Sequence, residues 1–218
     1  LIMNNLFKIF LIFQMLISGC NTNTNTNTNT NKLNEQKISQ SIDTFNMNIF
    51  SNKGNKIFTV KSPYSIYDRA KDIIKLKETT IHTFKDNKAE YIINSDKSTL
   101  SNNNKLLELN GNVIVKSLLQ NEDELYANSF KWNINNSEYL LIGNVKLENN
   151  SITLSSNKAI LHKRKNIVEF FNPVKYVIKN NNKKDSYEIN SENAYYNIDT
   201  QTVSFTSVKE RVRSKVYF

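Results

Sequence analysis

The sequence of 218 residues is poor in the residue types from which most reactive sites are built. It has one cysteine, two histidines, one tryptophan, two prolines and four glycines. A single cysteine excludes an internal disulfide, and so few glycines argue against a glycine-rich phosphate-binding loop. The sequence also lacks a nucleophile elbow and a paired acidic motif. It therefore predicts a protein that is not an enzyme and that uses no cofactor.

The two histidines, His82 and His162, are the remaining candidates for metal ligands. A metal site needs several nitrogen, sulfur or carboxylate ligands that converge on one point. The two histidines are far apart in sequence, and neither has a cysteine or a carboxylate at a recognised ligand spacing. We therefore predict no metal site.

The formal net charge of +9 raises the question of an anionic partner. Lysine and arginine are scattered along the chain instead of being massed in one stretch, so we do not expect nucleic acid as a partner. Short basic runs at 163–165 and 183–184 fall at predicted hairpin tips, where charge usually serves solvation. Contact of these tips with anionic lipid head groups or acidic saccharide is the alternative.

The first twenty residues differ from the rest of the chain. Lys8 precedes an apolar run from Ile9 to Ile17, which is too short for a full membrane span. A basic end, a short apolar region and small residues before Cys20 are typical of an export signal. The segment Ile17-Ser18-Gly19-Cys20 resembles the lipobox of bacterial lipoproteins, and an ordinary signal peptide is the alternative. We predict a lipoprotein signal peptide over 1–19 and lipid attachment at Cys20.

Residues 20–42 begin with a repeated Asn-Thr pair and contain few apolar side chains. Ordering such a segment would bury little surface to offset the loss of conformational entropy. The composition therefore predicts a flexible tether, followed by one domain over 43–218.

From residue 43 onward the chain shows the pattern of strands. Short runs rich in β-branched and aromatic residues alternate with Asn, Lys, Gly or Asp, and no run has a sustained helical period. The segment 67–76 is the one place where a helical turn competes with strand. An all-β domain is therefore predicted.

Within this domain a unit recurs that consists of a polar turn, an apolar strand, a Gly or Asn break and a further strand. Val113, Val145 and Val174, the residues after each break, lie 32 and 29 positions apart. Ser95, Ala127 and Ser156 form a column of small residues upstream of them. Self-similarity of this length is typical of stacked supersecondary units, so repeated β-hairpins are predicted.

Alternation within these units predicts one dry face, because successive side chains of a strand point to opposite sides. Polar residues such as Glu108, Asn144 and Glu169 fall on the other face. A bulge at the Gly break, or an outer face that is not uniformly polar, would explain apolar residues of the opposite parity, such as Ile114 and Ile142. The predicted groove on the dry face consists of Leu107, Leu109, Val113, Val115, Trp132, Tyr139, Leu141, Val145, Leu147, Val168, Phe170, Val174 and Tyr176.

Two of these units, Leu109–Val115 and Leu141–Leu147, resemble segments of the lipopolysaccharide export proteins LptC and LptA. Pro63–Ala70, followed by Ile74–Leu76, resembles the first segment of LptC-type domains. The resemblance covers residues 43–218 and implies an elongated open β-jelly roll. It also implies that an apolar groove shields the acyl chains of lipopolysaccharide on the way from an inner-membrane ABC transporter toward the outer membrane.

The partners implied by this resemblance are lipopolysaccharide, the ABC transporter and an LptA-like bridge protein that pairs with a sheet edge. The implied location is the periplasmic face of the inner membrane. Known LptC proteins use a transmembrane helix as an anchor, whereas Cys20 is the predicted anchor here, and Asn21 leaves the choice of membrane open. The alternative is a structural or adhesive envelope lipoprotein whose dry face is only a packed core.

Overall fold

The computed structural model describes residues 39–179 and 186–217, except for 102, 104 and 119–122. These residues form strands and turns, and none of them forms a helix able to cross a bilayer. The strands are β1 (Ser39–Phe50), β2 (Lys56–Asp68), β3 (Ile73–Lys85), β4 (Lys88–Ser101), β5 (Leu106–Ser117), β6 (Glu124–Asn133), β7 (Glu138–Glu148), β8 (Ile152–His162), β9 (Ile167–Ile178), β10 (Ser186–Asn197), β11 (Thr202–Thr206) and β12 (Arg213–Tyr217).

The strands form one antiparallel sheet in which β1 to β11 follow each other in sequence order, while β12 also pairs with β10. Each of the strands β1 to β10 therefore pairs with the next one, as a repeat of hairpins requires. In the described part of the chain, β1 pairs only with β2 and β11 only with β10, so the sheet stays open. The predicted all-β fold, an open β-jelly roll of repeated antiparallel hairpins, is confirmed.

Several predicted boundaries differ from those in the structure. Strand β1 begins at Ser39, ahead of the position 43 at which the domain was expected to start, and the segment 69–72 is a turn between β2 and β3. The predicted breaks at Gly111 and Gly143 do not end strands, because β5 and β7 continue through them. The predicted signal peptide, Cys20 and most of the predicted tether lie outside the described residues.

Each Gly-Asn break is a β-bulge, as one of the two sequence interpretations predicted. Gly111 and Asn112 have φ values of +79° and +45°, and the pairing with β6 shifts register between Asn110 and Val113. The side-chain amide of Asn112 donates from Nδ2 to Oδ2 of Asp96 at 2.9 Å. A Cβ atom on Gly111 would lie 2.6 Å from the same oxygen, so both the backbone angle and the close approach require glycine here.

The column of small residues marks a second irregularity, in the neighbouring strands. The hydroxyls of Ser62, Ser95, Ser156 and Ser191 each donate to the carbonyl two residues later, at 2.7, 3.2, 2.8 and 3.0 Å. Beyond this point the inward parity of the strand changes, as from Ser156 to Ala159. Paired irregularities in adjacent strands bend the whole sheet at mid-length.

The bent sheet coils so that strands four positions apart face each other. The rings of Phe58 on β2 and Trp132 on β6 are 5.0 Å apart. The Tyr196 hydroxyl on β10 donates to Asp123, just before β6, at 2.8 Å across 73 residues of sequence. Coiling with this regular spacing encloses one face of the sheet, which we call the inner face.

Candidate functional site

The predicted groove residues lie together on the inner face. All but Tyr176 are at most 2% exposed, and Tyr176 is half-buried against the same core. Of the residues expected on the other face, Asn144 is exposed, and Glu108 and Glu169 are partly buried. In this structure the inner face is a closed apolar interior, because its side chains pack against each other across the coil.

The inner face is larger than the predicted set. Its further buried apolar residues include Phe58, Val60, Leu76, Ile81, Tyr91, Ile93, Leu100, Leu125, Phe130, Leu154, Leu161, Ala194 and Tyr196. The alternation of inward and outward residues that would have revealed them is present. It shifts by one residue at each serine bulge, the point in a strand where a serine hydroxyl donates to the carbonyl two residues later. The apolar residues of opposite parity belong to the outer face, where Ile142 is 46% exposed. The outer face is therefore not uniformly polar.

An aromatic cluster joins β2 to β6 and β7 across the interior. Trp132 contacts Phe58 and Tyr139 edge to face, with ring centroids 5.0 Å apart in both pairs, and Phe130 lies 5.2 Å from Tyr139. The indole nitrogen of Trp132 donates to the carbonyl of Asn136 at 3.1 Å, so its one polar atom is satisfied. Edge-to-face pairs of this kind stabilise packing by about 1 kcal/mol each beyond the area they bury.

Among the polar residues buried with this apolar interior, Glu90 is the least exposed carboxylate. The register of β3 and β4 shifts between Thr83 and Phe84, which leaves Glu90 as an extra residue whose side chain is only 2% exposed. Its carboxylate lies 2.9 Å from Nζ of Lys163, in the turn between β8 and β9. Burial raises the pKa of Tyr91 and of Tyr139, and the negative charge of Glu90 adds to both effects. This contact corrects the prediction that Lys163 serves only solvation.

The inner face reaches both open edges of the sheet. Phe45, Met47 and Ile49 of β1 are half-buried and pack against the core. At the other edge Phe205 of β11 lies 5.3 Å from Tyr176, ring to ring. Within the described ranges, the apolar interior is therefore bounded by β1 and β11, each of which pairs on one side only.

The amino-acid sequence matches the family described as lipopolysaccharide-assembly, LptC-related, over residues 7–139, which is more than half of the chain. The chain belongs to this family. A second family, described as OstA-like protein, matches residues 115–216. The chain therefore has a role in lipopolysaccharide transport.

One solved structure that matches the chain is the crystal structure of LptH from Pseudomonas aeruginosa, described as the LptA-homologous periplasmic component of the lipopolysaccharide transport device. The match has a TM-score of 0.39 at 10% identity and covers 74% of this chain and 94% of that chain. No curated protein matches the chain.

The outer face of this LptC-related protein carries paired charges. Lys131 lies 2.6 Å from Glu108 across β5 and β6, and Lys175 lies 2.8 Å from Glu188 across β9 and β10. Glu148 sits between Lys146 and Lys179, at 2.5 and 2.6 Å. Each of these lysines is paired with a nearby carboxylate, so this part of the surface is not a basic patch despite the positive net charge.

His162 differs from its sequence interpretation, since the fold brings carboxylates to both sides of its ring. Nδ1 lies 3.1 Å from Glu138 on β7, and Nε2 lies 3.2 Å from Glu169 on β9. Because the imidazole separates the two carboxylates, one ion could not contact all three side chains. Among the described residues, no cluster of His, Cys, Asp or Glu has the geometry of a metal site.

Proposed function

We propose that the domain carries lipopolysaccharide by shielding its acyl chains on the inner face. The observation that supports this most strongly is the extent of that face: buried apolar side chains run without a gap from β2 to β10 and continue to both open edges. Acyl chains need apolar surface and no reactive group. Each Å² of such surface removed from water contributes about 25 cal/mol, so a few chains are held without covalent chemistry.

Binding requires the interior to open, because its side chains already contact each other. The coil is held by contacts between strands four apart, such as Phe58 with Trp132 and Glu90 with Lys163. No hydrogen-bonded strand pair closes β1 onto β11 among the described residues. The two halves can therefore separate without breaking the ladder of the sheet, and acyl chains then replace the contacts that are lost.

The open edges supply the route for transfer. Unpaired strand edges accept an extended strand from another protein through backbone hydrogen bonds. We propose that the inner-membrane ABC transporter and an LptA-like bridge protein extend the sheet in this way, so that the apolar interiors become continuous. Lipopolysaccharide then moves toward the outer membrane along a dry path, driven by the transporter.

Photo-crosslinking tests the proposal because adjacent residues point to opposite faces. A photoreactive side chain at Leu109, Leu141 or Phe170 is expected to capture lipopolysaccharide in cells. The same group at Glu108 or Glu169, the outward residues next to Leu109 and Phe170, or at the exposed Asn144, is not. Circular dichroism of each variant checks folding. Capture from both faces alike, or from neither in a folded protein with export active, would favour the structural lipoprotein with a packed core.

We further propose that Cys20 anchors the chain to a membrane through a lipid, after removal of residues 1–19. The lipobox-like sequence and the polar tether that follows support this proposal. A fatty-acid probe fed to cells is expected to label the natural chain and not Cys20→Ser. Equal labelling of both chains, or of neither, would contradict the anchor without affecting the proposal for the inner face.

A further inference from the structure

The outer edge of β10 is covered by two separate strands of the same chain. Residues Asn193 to Asn197 pair with β11, and residues Ser186 to Asn190 pair with β12. The two short strands lie end to end along β10, which pairs with β9 on its other side. The segment 207–212 connects them at the middle of β10.

Glu192 holds this connecting segment. Its carboxylate accepts the backbone N–H groups of Val208, Lys209 and Glu210 at 2.8, 2.8 and 2.7 Å, and its own N–H donates to Oγ of Ser207 at 3.1 Å. Glu192 follows Ser191, whose hydroxyl makes the same kind of hydrogen bond as those of Ser95 and Ser156. Its equivalents Asp96 and Asn128 contact the Gly-Asn bulge of the next strand, so Glu192 uses the same position to bind a different segment.

Strand β12 buries little apolar surface. Residues 213–216 are all exposed, and Val208 in the connecting segment is 88% exposed. By contrast, Val203 and Phe205 of β11 pack against the core. The strand is therefore retained by its backbone pairing with β10 and by the contacts of Glu192. Segments held in this way open more readily than segments that contribute to a core.

We propose that Ser186–Asn190 is a docking edge for an extended strand of a second protein, and that β12 is a built-in competitor which must leave before that strand binds. The inference deepens the strand-pairing step of the proposed function and rests on it. In the present structure Lys215 of β12 lies opposite Glu188 of β10, and Lys175 of β9 contacts Glu188 from the neighbouring strand. The incoming strand therefore needs a basic residue at the position that Lys215 now occupies. Glu192 controls access to the edge.

A labelled peptide with the sequence of residues 211–217 tests this inference on the full chain. The natural protein is expected to bind the peptide weakly, and Glu192→Ala at least tenfold more tightly. Glu192→Gln keeps one acceptor oxygen and is expected to fall between them. A peptide with glutamate in place of Lys215 should bind Glu192→Ala more weakly than the unaltered peptide, because it places a like charge opposite Glu188.

Hydrogen exchange in the same proteins shows whether the change is local. Amides of β12 are expected to exchange at least tenfold faster in Glu192→Ala, while those of β5 to β8 are unchanged. Equal peptide affinity in all three proteins, no binding to Glu192→Ala, or faster exchange throughout the sheet would overturn the inference. Neither measurement involves lipid, so these outcomes leave the proposed binding of acyl chains untouched.

Discussion

The middle of the sheet and its C-terminal edge are built from the same kind of strand but are stabilised differently. In β5 to β8 buried side chains alternate with outward ones on each side of a bulge, and both neighbouring strands contribute to the same core. In β12 the described side chains are exposed, and polar contacts of Glu192 hold the segment that precedes it. Burial therefore secures the interior, while a few hydrogen bonds secure the edge.

This difference suits a protein that must keep its interior dry and still exchange partners. Burial of apolar surface is non-directional and spread over many residues, so no single contact releases the middle of the sheet. Hydrogen bonds to one carboxylate depend on a single side chain. Substitutions in these two regions should therefore change the stability of the fold by different amounts.

Removal of an interior aromatic side chain should have the largest effect. Trp132→Ala is expected to lower the free energy of unfolding by about 3–5 kcal/mol, because it leaves a cavity at the contact with Phe58 and Tyr139. The matched change at the edge, Val216→Ala, should cost below about 0.5 kcal/mol, since Val216 is 51% exposed. Urea unfolding of both variants measures the difference, and similar losses would contradict the contrast.

The buried and the exposed ion pairs should also differ in how much each stabilises the fold. Lys163→Met removes the cation from a carboxylate that is 2% exposed, and we expect a loss of about 3 kcal/mol. Lys131→Met breaks the pair with Glu108, in which both side chains are more than a third exposed, and the expected loss is below about 1 kcal/mol. Thermal unfolding at low and high salt compares them. A Lys163 variant as stable as the natural chain would show that Glu90 is well solvated.

Substitution of a bulge glycine should lower the stability by an intermediate amount. Gly143→Ala places a Cβ atom 2.8 Å from Nδ2 of Asn128 in addition to the strain of φ +78°, and we expect a loss of roughly 2 kcal/mol. Gly54 has φ +80° but no atom within 4 Å of such a Cβ, so Gly54→Ala isolates the backbone strain, at about 1 kcal/mol. Equal losses in denaturant unfolding would mean that Asn128 moves aside freely.

The smallest expected effect concerns acid pH. Hydrogen bonds from Lys146 and then Lys179 lower the pKa of Glu148 to about 2. A depressed pKa means that the carboxylate stabilises the fold at neutral pH, and that this contribution is lost as the pH falls from the ordinary carboxyl value toward about 2. Glu148 is partly exposed, so the contribution is below about 1 kcal/mol. The stability difference between the natural chain and Glu148→Gln should vanish near that pH, and a constant difference would refute the assignment.

Much of the interior could be predicted from local pattern. Leu107, Tyr139 and Phe170 were assigned to the dry face from alternation alone, and all three are buried. The Gly-Asn repeat likewise indicated a bulge. The serine bulges were not recognised as changes of parity, so strands such as β4 and β8 contributed no residues to the predicted groove. Serine hydrogen bonds to the carbonyl two residues later are not visible in composition or period.

The sequence by itself determined which side chains face inward and where hairpins turn, because strand alternation and turn preference depend on neighbouring residues. Only the tertiary structure decided which strands meet across the interior. The pairing of Glu90 with Lys163, and of Asp123 with Tyr196, results from twist and bend accumulated over four strands. Such angles add up along the sheet and leave no local signature, so no short stretch of sequence specifies these contacts.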